Sequence, residues 1–321
     1  MEAIRTENLT KKYGELAAVD GITLSVEKGE IFGLLGPNGA GKTTTLMMLS
    51  SLLKPTSGKA TVNGFDVTEQ PGRVRESIGM VFQDPSSDPV LTAYDNLKLH
   101  ALLYNLPLKS IGPKIDQMLA LVELDKRKHD VVKTFSGGMR RRMEIARGLL
   151  HEPQIFFLDE PTLGLDPQTR NYIWKYIRAL AERTGMTVVL TTHYMEEAEK
   201  LCGRIAIIDH GKISALDSPR NLINALGGDV VLIKGELRLE ELKKLPFVKE
   251  IKKVDDRYRL SVENAAKNLQ ALLCEAGVIE NVEVHSPDLN DVFLHYTGRQ
   301  MRDEEGDAMG FVRDMNRAQN K

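Results

Sequence analysis

The sequence predicts an α/β fold: a mostly parallel sheet covered on both faces, a helical subdomain inserted into it, and a small ferredoxin-like α+β C-terminal domain. Three observations carry this reading. Runs that are apolar throughout, such as Ile155-Phe156-Phe157-Leu158, suit strands buried on both faces. These runs alternate with stretches of helical period, as parallel strands joined by crossover helices require. After Leu226-Gly227-Gly228-Asp229 the composition changes, and the order becomes strand, helix, hairpin, helix, strand.

Ala3–Leu9 and Gly21–Val26 alternate apolar and polar residues and read as strands, with Lys28-Gly29-Glu30 as a turn. Glu30–Leu35 is a nearly continuous apolar run that ends in a glycine-rich loop, and Lys42–Leu53 has helical character. Ile78–Phe82 is a further strand and Pro85-Ser86-Ser87-Asp88-Pro89 a loop. From Thr92 to Leu150 the pattern is helical. Leu97, Leu99, Leu102 and Leu103 form one broad apolar face, and Ile115, Met118, Leu119 and Val122 another. Strand Ile155–Leu158, helix Arg170–Glu182 and strands Thr187–Thr191 and Ala206–Asp209 complete a first domain over residues 1–228, its helical subdomain spanning about 84–150. Met47, Met48 and Met80 read as core filler.

The second domain, residues 229–297, reads as strand Val230–Lys234, helix Leu239–Leu245 and a hairpin of Val248–Val254 with Arg257–Val262 across Asp255-Asp256. Helix Ala265–Ala276, strand Val282–His285 and a short helix Leu289–Tyr296 follow. Residues 298–321 are charge-balanced and poor in apolar side chains, so a flexible tail or a weak docking element is expected. No internal repeat appears along the chain.

Bulk properties narrow the function. The 321 residues are 42% apolar and 27% charged with a formal net charge of −2, which argues against a strongly basic nucleic-acid binder. Cys202 and Cys274 lie far apart and outside any metal-ligand spacing, which fits a reducing compartment. The N-terminus lacks the apolar core of a signal peptide, and no stretch reaches the roughly 20 apolar residues of a membrane span. Service to a membrane process would then run from the cytoplasm through a partner.

Gly36-Pro37-Asn38-Gly39-Ala40-Gly41-Lys42-Thr43 fits the pattern GxxxxGK[ST] between a strand and a helix, with Thr44 next in line. The glycines let successive backbone N–H groups point inward at phosphates, and the helix that follows presents its positive end to the same anion. Lys42 would bridge the outer phosphates and the Thr43 hydroxyl would ligate Mg²⁺. The first domain is accordingly expected to be a phosphate-loop NTPase core. Ile155–Leu158 ends in Asp159-Glu160. By itself such a pair is an ordinary strand end. After a phosphate loop, Asp159 is placed to hold Mg²⁺ or its water and Glu160 to orient and deprotonate an attacking water.

Phe135-Ser136-Gly137-Gly138-Met139 opens a helix and forms a second anion-binding nest. One nucleotide has little use for two such nests from one chain, so the second is expected to serve a nucleotide held by a neighbouring copy. These residues together resemble the ATP-binding cassette (ABC) ATPases over residues 1–220, and within them the drug-exporter ATPases of daunorubicin-resistance type. The resemblance implies ATP and Mg²⁺ as ligands and two cassettes joined head to tail, the other being a second copy or a paralogous cassette. It also implies a separate integral-membrane permease and a position on the inner face of the cell membrane. It further implies that Tyr13 stacks on adenine, Gln83 links Mg²⁺ to the permease contact, and His193 contacts the γ-phosphate. Ser136, Gly137, Gly138 and the Gly164-Leu165-Asp166 loop would act in trans. Met139 departs from the glutamine usual in the family. With the arginines after it and the ending Asp288-Leu289-Asn290-Asp291-Val292-Phe293, it resembles the exporter subgroup.

Taken singly, Tyr13 also reads as an edge aromatic, His193 as a helix cap and Gln83 as a surface amide; their order along the chain favours the site. Arg140–Arg142 read as a solvated or phosphate-facing turn of helix. The competing function is a non-transport cassette ATPase acting on nucleic acid or the ribosome, which would call for a long coiled-coil insertion or tandem cassettes. A GTPase switch would want an Asn-Lys-x-Asp segment, which the sequence lacks.

Overall fold

A computed structural model describes residues 1–254 and 256–298, in two compact units. In the first unit, Met1–Ile213, β1 (Glu2–Tyr13) and β2 (Leu16–Glu27) form a hairpin, and β3 (Ile31–Leu35) leads through the glycine-rich loop into α1 (Lys42–Leu49). Then come β4 (Ser57–Val62), β5 (Phe65–Asp66), α2 (Pro71–Ser77) and β6 (Ile78–Val81). The insertion consists of α3 (Ala93–Leu103), α4 (Leu108–Leu121) and α5 (Gly137–Leu149). After it follow β7 (Ile155–Asp159), α6 (Pro167–Thr184), β8 (Thr187–Thr192), α7 (Met195–Leu201), β9 (Arg204–Asp209) and β10 (Lys212–Asp217), within which the units divide.

Two sheets build this unit. The larger runs β10-β9-β3-β8-β7-β6, and β9, β3, β8, β7 and β6 are parallel neighbours. Every residue of β7 and β8 is buried, which is why their sequences are apolar without alternation. The smaller sheet, β2-β1-β4-β5, is antiparallel; burial alternates along Gly21–Glu27 of β2 as its sequence does, while register shifts in β1 at Glu2/Ile4 and Thr6/Leu9 break the alternation expected over Ala3–Leu9. Parallel order aligns the C-terminal ends of β3, β7 and β8, so the loops after Leu35, Asp159 and Thr192 meet at one end of the sheet. Open α/β sheets bind their ligands at such an end.

Several sequence expectations change. The helix from Lys42 stops at Leu49 rather than Leu53, because Ser51 takes a positive φ of 57°. The span Thr92–Leu150 is three helices separated by loops and single 3₁₀ turns. Leu97 is buried there, but Leu99, Leu102 and Leu103 are exposed, so the apolar face expected over them does not pack within this chain. Ile115, Met118, Leu119 and Val122 are all buried. Arg141 is buried too, so the turn Arg140–Arg142, expected to be solvated or phosphate-facing, has one arginine turned inward. β4, β5, α2, α7 and β10 are short or polar and gave no clear periodic signal.

The second unit, from Ser214, holds α8 (Pro219–Ala225), β11 (Asp229–Leu237), α9 (Leu239–Lys243), β12 (Val248–Val254), β13 (Arg257–Val262), α10 (Ala265–Ala276), β14 (Gly277–His285) and α11 (Leu289–Thr297). Its sheet order, β12-β13-β11-β14 with antiparallel neighbours, is the ferredoxin-like arrangement of two interleaved βαβ halves. Val231, Ile233, Leu242, Leu260, Val262 and Leu272 form its core. Asp288 and Asp291 make a capping box that starts α11. The turn residue Asp255 and the expected tail beyond Gly298 lie outside the described residues.

Candidate functional site

The loop after β3 is shaped by backbone contacts that admit no side chain. A Cβ on Gly36 would lie 2.2 Å from the carbonyl oxygen of Ile208, and one on Gly41, at φ 102°, would lie 2.4 Å from that of Ala18. Gly36 N–H donates to Thr192 O at 3.2 Å, and Gly211 N–H to Ala40 O at 3.0 Å, which fixes the loop against the sheet end. Asn38 and Gly39 are exposed at its tip, while Thr43 and Thr44, half-buried, begin α1 beside Lys42.

Lys42 is only 5% exposed. Its Nζ donates to the carbonyls of Gly36 at 2.7 Å and Pro37 at 3.2 Å and pairs with Glu160 Oε1 at 3.1 Å. A buried ammonium needs such compensation.

The two carboxylates at the end of β7 sit in opposite environments. Asp159 Oδ1 accepts from Thr43 Oγ1 at 3.0 Å and from Thr191 Oγ1 at 2.6 Å. Burial raises its pKa, and these two hydroxyls only partly offset that. Glu160 is equally deep, and burial pushes its pKa upward, yet the adjacent His193 and the Lys42 charge outweigh burial and hold it below the usual glutamate range. His193 Nδ1 lies 2.8 Å from Glu160 Oε2. Glu160 also takes a left-handed φ of 48°, a strained conformation for a residue with a side chain, and its N–H donates to Thr191 Oγ1 at 3.0 Å. Adjacent carboxylates with pKa values driven apart are the arrangement that assigns different chemical roles to each.

The structure therefore brings together Lys42, Thr43, Asp159, Glu160 and His193. Ser136, Gly137 and Gly138 lie at another place, the start of α5, where Ser136 Oγ accepts from Met139 N–H at 3.3 Å. Gly137 and Gly138 abut the start of α6: their Cβ positions would lie 3.5 Å from Leu165 and 2.6 Å from Thr169. Asp166 is exposed and caps α6, accepting from the Thr169 N–H at 3.0 Å and hydroxyl at 2.6 Å. Gln83 is exposed just past β6, which pairs through Val81 with Leu158 and so runs beside the carboxylates. Tyr13 ends β1, half-buried, with Lys11 Nζ 5.3 Å from its ring centre.

Sequence reasoning missed three residues here. Thr191 ties Asp159 to Glu160; its only signal was the Thr-Thr pair closing a buried strand. Glu197, fully buried, accepts from Thr162 Oγ1 and Trp174 Nε1, both at 2.8 Å, and so joins α7 to the loop after Glu160 and to α6. Arg141 was hidden within a run of three arginines.

Comparison with known proteins identifies the family. The ABC transporter family model matches residues 19–163, and that of the ATP-binding protein DrrA1-3-like C-terminal domain matches residues 218–297. The linearmycin resistance ATP-binding protein LnrL of Bacillus subtilis is 39% identical, over 94% of this chain and 100% of its own. The daunorubicin resistance ATP-binding protein DrrA2 of Streptomyces coeruleorubidus is 39% identical over 94% and 97%. Among solved structures, the ATP-binding cassette MJ0796, in a dimeric post-hydrolysis state bound to ADP and Pi, aligns with a TM-score of 0.61 and 29% identity over 67% of this chain and 98% of that one. The chain thus belongs to the ABC transporter family, as one of its ATP-hydrolysing, ATP-binding subunits.

Proposed function

We propose that two such cassettes, two copies of this chain or one with a paralogous cassette, close around two ATP molecules and drive an exporter whose cargo path lies in a separate membrane permease. The observation that carries this reading is the buried group of Lys42, Glu160 and His193 beside the Thr43–Asp159 pair. Lys42 now has a carboxylate as its anion. A γ-phosphate in the loop would take that place beside Lys42 and free Glu160 to accept a proton from water, acting as general base. Its low pKa keeps it deprotonated for that purpose, and His193 would hold its far oxygen and contact the phosphate. Backbone N–H groups within residues 38–44 would cradle the phosphates, with Gly36 and Pro37 shaping the loop, and Tyr13 would stack on adenine. The hard oxygens of Thr43 and Asp159, already 3.0 Å apart, suit Mg²⁺, with Gln83 near enough in register to join them. That ion would neutralise charge on the transferred phosphoryl group.

Ser136, Gly137 and Gly138, with Asp166, would complete the site of the other cassette. Ser136, Gly137 and Asp166 are exposed, and Gly138 is half-buried, at neighbouring helix starts, which supports this. The insertion supports a permease contact: Leu103 is 71% and Leu108 77% exposed, with Leu99 and Leu102 nearby in sequence and also uncovered. The chain would therefore work on the cytoplasmic face of the membrane, held there by the permease. The names of the relatives point to drug-like organic compounds as cargo. We assign residues 1–228 to the nucleotide-binding domain and 229–297 to an accessory domain.

The test is the solution mass of wild type and Glu160→Gln with and without Mg-ATP. The variant should bind ATP, lose turnover and shift from monomer to dimer more completely than wild type. Normal turnover by the variant would remove Glu160 as the base. A monomer that still hydrolyses ATP would remove the shared site.

A further inference from the structure

Arg141 stands on the first turns of α5, one helical turn beyond Gly137, and is only 8% exposed. A guanidinium so deeply buried is expected to meet a carboxylate. Among the described residues none of its hydrogen bonds goes to one. Nε donates to Pro161 O at 2.7 Å, Nη1 to Phe82 O at 2.6 Å, and Nη2 to both Asp159 O at 2.8 Å and Glu160 O at 2.9 Å. The nearest carboxylate along α5, Glu144, is engaged elsewhere, with Arg147 at 2.7 Å and the Ser87 N–H at 2.9 Å. Four of the five guanidinium N–H groups thus hold main-chain carbonyls from two separate segments, and the rigid planar fork is what reaches all of them at once.

Those segments are the ones the reaction uses. Phe82 precedes Gln83, Asp159 and Glu160 are the candidate metal ligand and base, and Pro161 begins the loop to Asp166. The helix that carries Arg141 starts at Gly137 and Gly138 with Ser136 as its cap, the residues proposed above to serve the other cassette. We infer that Arg141 is a positioning residue that makes the start of α5, the end of β7 and the Gln83 segment move as one body, so that closure on the partner's ATP is felt at Glu160 of the same chain. The inference rests on the shared-site reading above. Each carbonyl is fixed from the backbone side, so the tie holds the peptide path of Glu160, left-handed φ included, while none of the four bonds goes to its carboxylate.

The test compares wild type with Arg141→Lys and Arg141→Gln for ATPase kcat and KM, thermal stability and ATP-driven dimerisation in the Glu160→Gln background. Removing groups that orient catalytic residues commonly costs about 10–100-fold in activity. Both variants should lose kcat on that scale while KM for ATP stays within about threefold, because ATP contacts belong to the loop after β3. Lysine, a point charge with no fork, should recover at most part of it. A variant that is less stable but keeps its kcat would make Arg141 a structural tie only and overturn the inference, as would a raised KM at unchanged kcat. Hydrogen exchange on the Glu160→Gln chain needs no change at Arg141. Peptides over 78–84, 137–149 and 155–163 should gain protection with one common ATP midpoint, and separate midpoints overturn the inference. If Glu160→Gln itself turns over ATP or never dimerises, the shared-site reading fails. If it behaves as expected and the arginine variants match wild type, the coupling alone fails.

Discussion

Thr191→Val tests how the two carboxylates are held. The substitution keeps the shape of a fully buried side chain and removes one hydroxyl. That hydroxyl donates to Asp159 Oδ1 at 2.6 Å and accepts from the Glu160 N–H at 3.0 Å. Losing a hydrogen bond to an ionised group costs about 1.5–3 kcal/mol, and a stranded buried N–H about 1–3 more. A loss of about 4 kcal/mol in stability follows, and for a unit of this size that lowers Tm by about 8–16 °C. The Asp159 pKa, already raised by burial, should rise further without Thr191, because that hydrogen bond favours the ionised form. Ionising the carboxylate to bind a cation then costs more. The Mg²⁺ concentration that half-saturates ATPase activity should therefore rise, and the gap from wild type should narrow as pH rises. The assay is a Mg²⁺ titration of turnover at two pH values, with Thr191→Ser as the control that keeps the hydroxyl. A Thr191→Val protein with the wild-type Mg²⁺ midpoint and an unchanged Tm would refute the reasoning.

Other outcomes follow from the same geometry. Glu160 has its pKa held below the ordinary 4.5, so it adds stability above that value and loses it as pH falls through its folded-state pKa. Acid unfolding should accordingly steepen below about pH 4.5 in wild type and less so in Glu160→Gln, as circular dichroism can follow. Leu103→Glu with Leu108→Glu should leave ATPase activity of the isolated chain unchanged and weaken binding to the permease, measured by co-purification from membranes. In the second unit, Arg259 is buried and pairs with Asp291 at 3.3 Å. Asp291→Ala strands that charge and removes the capping box, so chemical denaturation should show a loss of about 3–5 kcal/mol in that unit.

The loop from Gly36 to Thr43 was legible because its chemistry is local: strand, glycines, lysine and helix are contiguous. Asp159 and Glu160 were legible for the same reason, and the second unit's element order could be followed strand by strand. Thr191 was not, since its partners lie across a parallel strand pair, and nothing within β8 marks one threonine as a ligand of β7. Periodicity likewise reports that a helix has an apolar face without saying what covers it. Leu97 packs within the chain and Leu103, on the same helix, does not. Arg141 inverts the usual inference from charge. Three arginines in a row suggest solvent, but on α5 one of them turns inward to carbonyls that only the folded sheet brings together.

The pairing of Lys42 with Glu160 also bears on a common experimental shortcut. A substitution at the phosphate-loop lysine is easily treated as a silent way to block nucleotide binding. Here the lysine is also the counter-ion of a carboxylate that is 5% exposed, and removing one member of such a buried pair costs about 3–5 kcal/mol. A Lys42→Met chain is thus damaged before any nucleotide is added. Its inactivity would combine lost affinity with a displaced Glu160, and only a replacement that keeps a positive charge at that point separates the two.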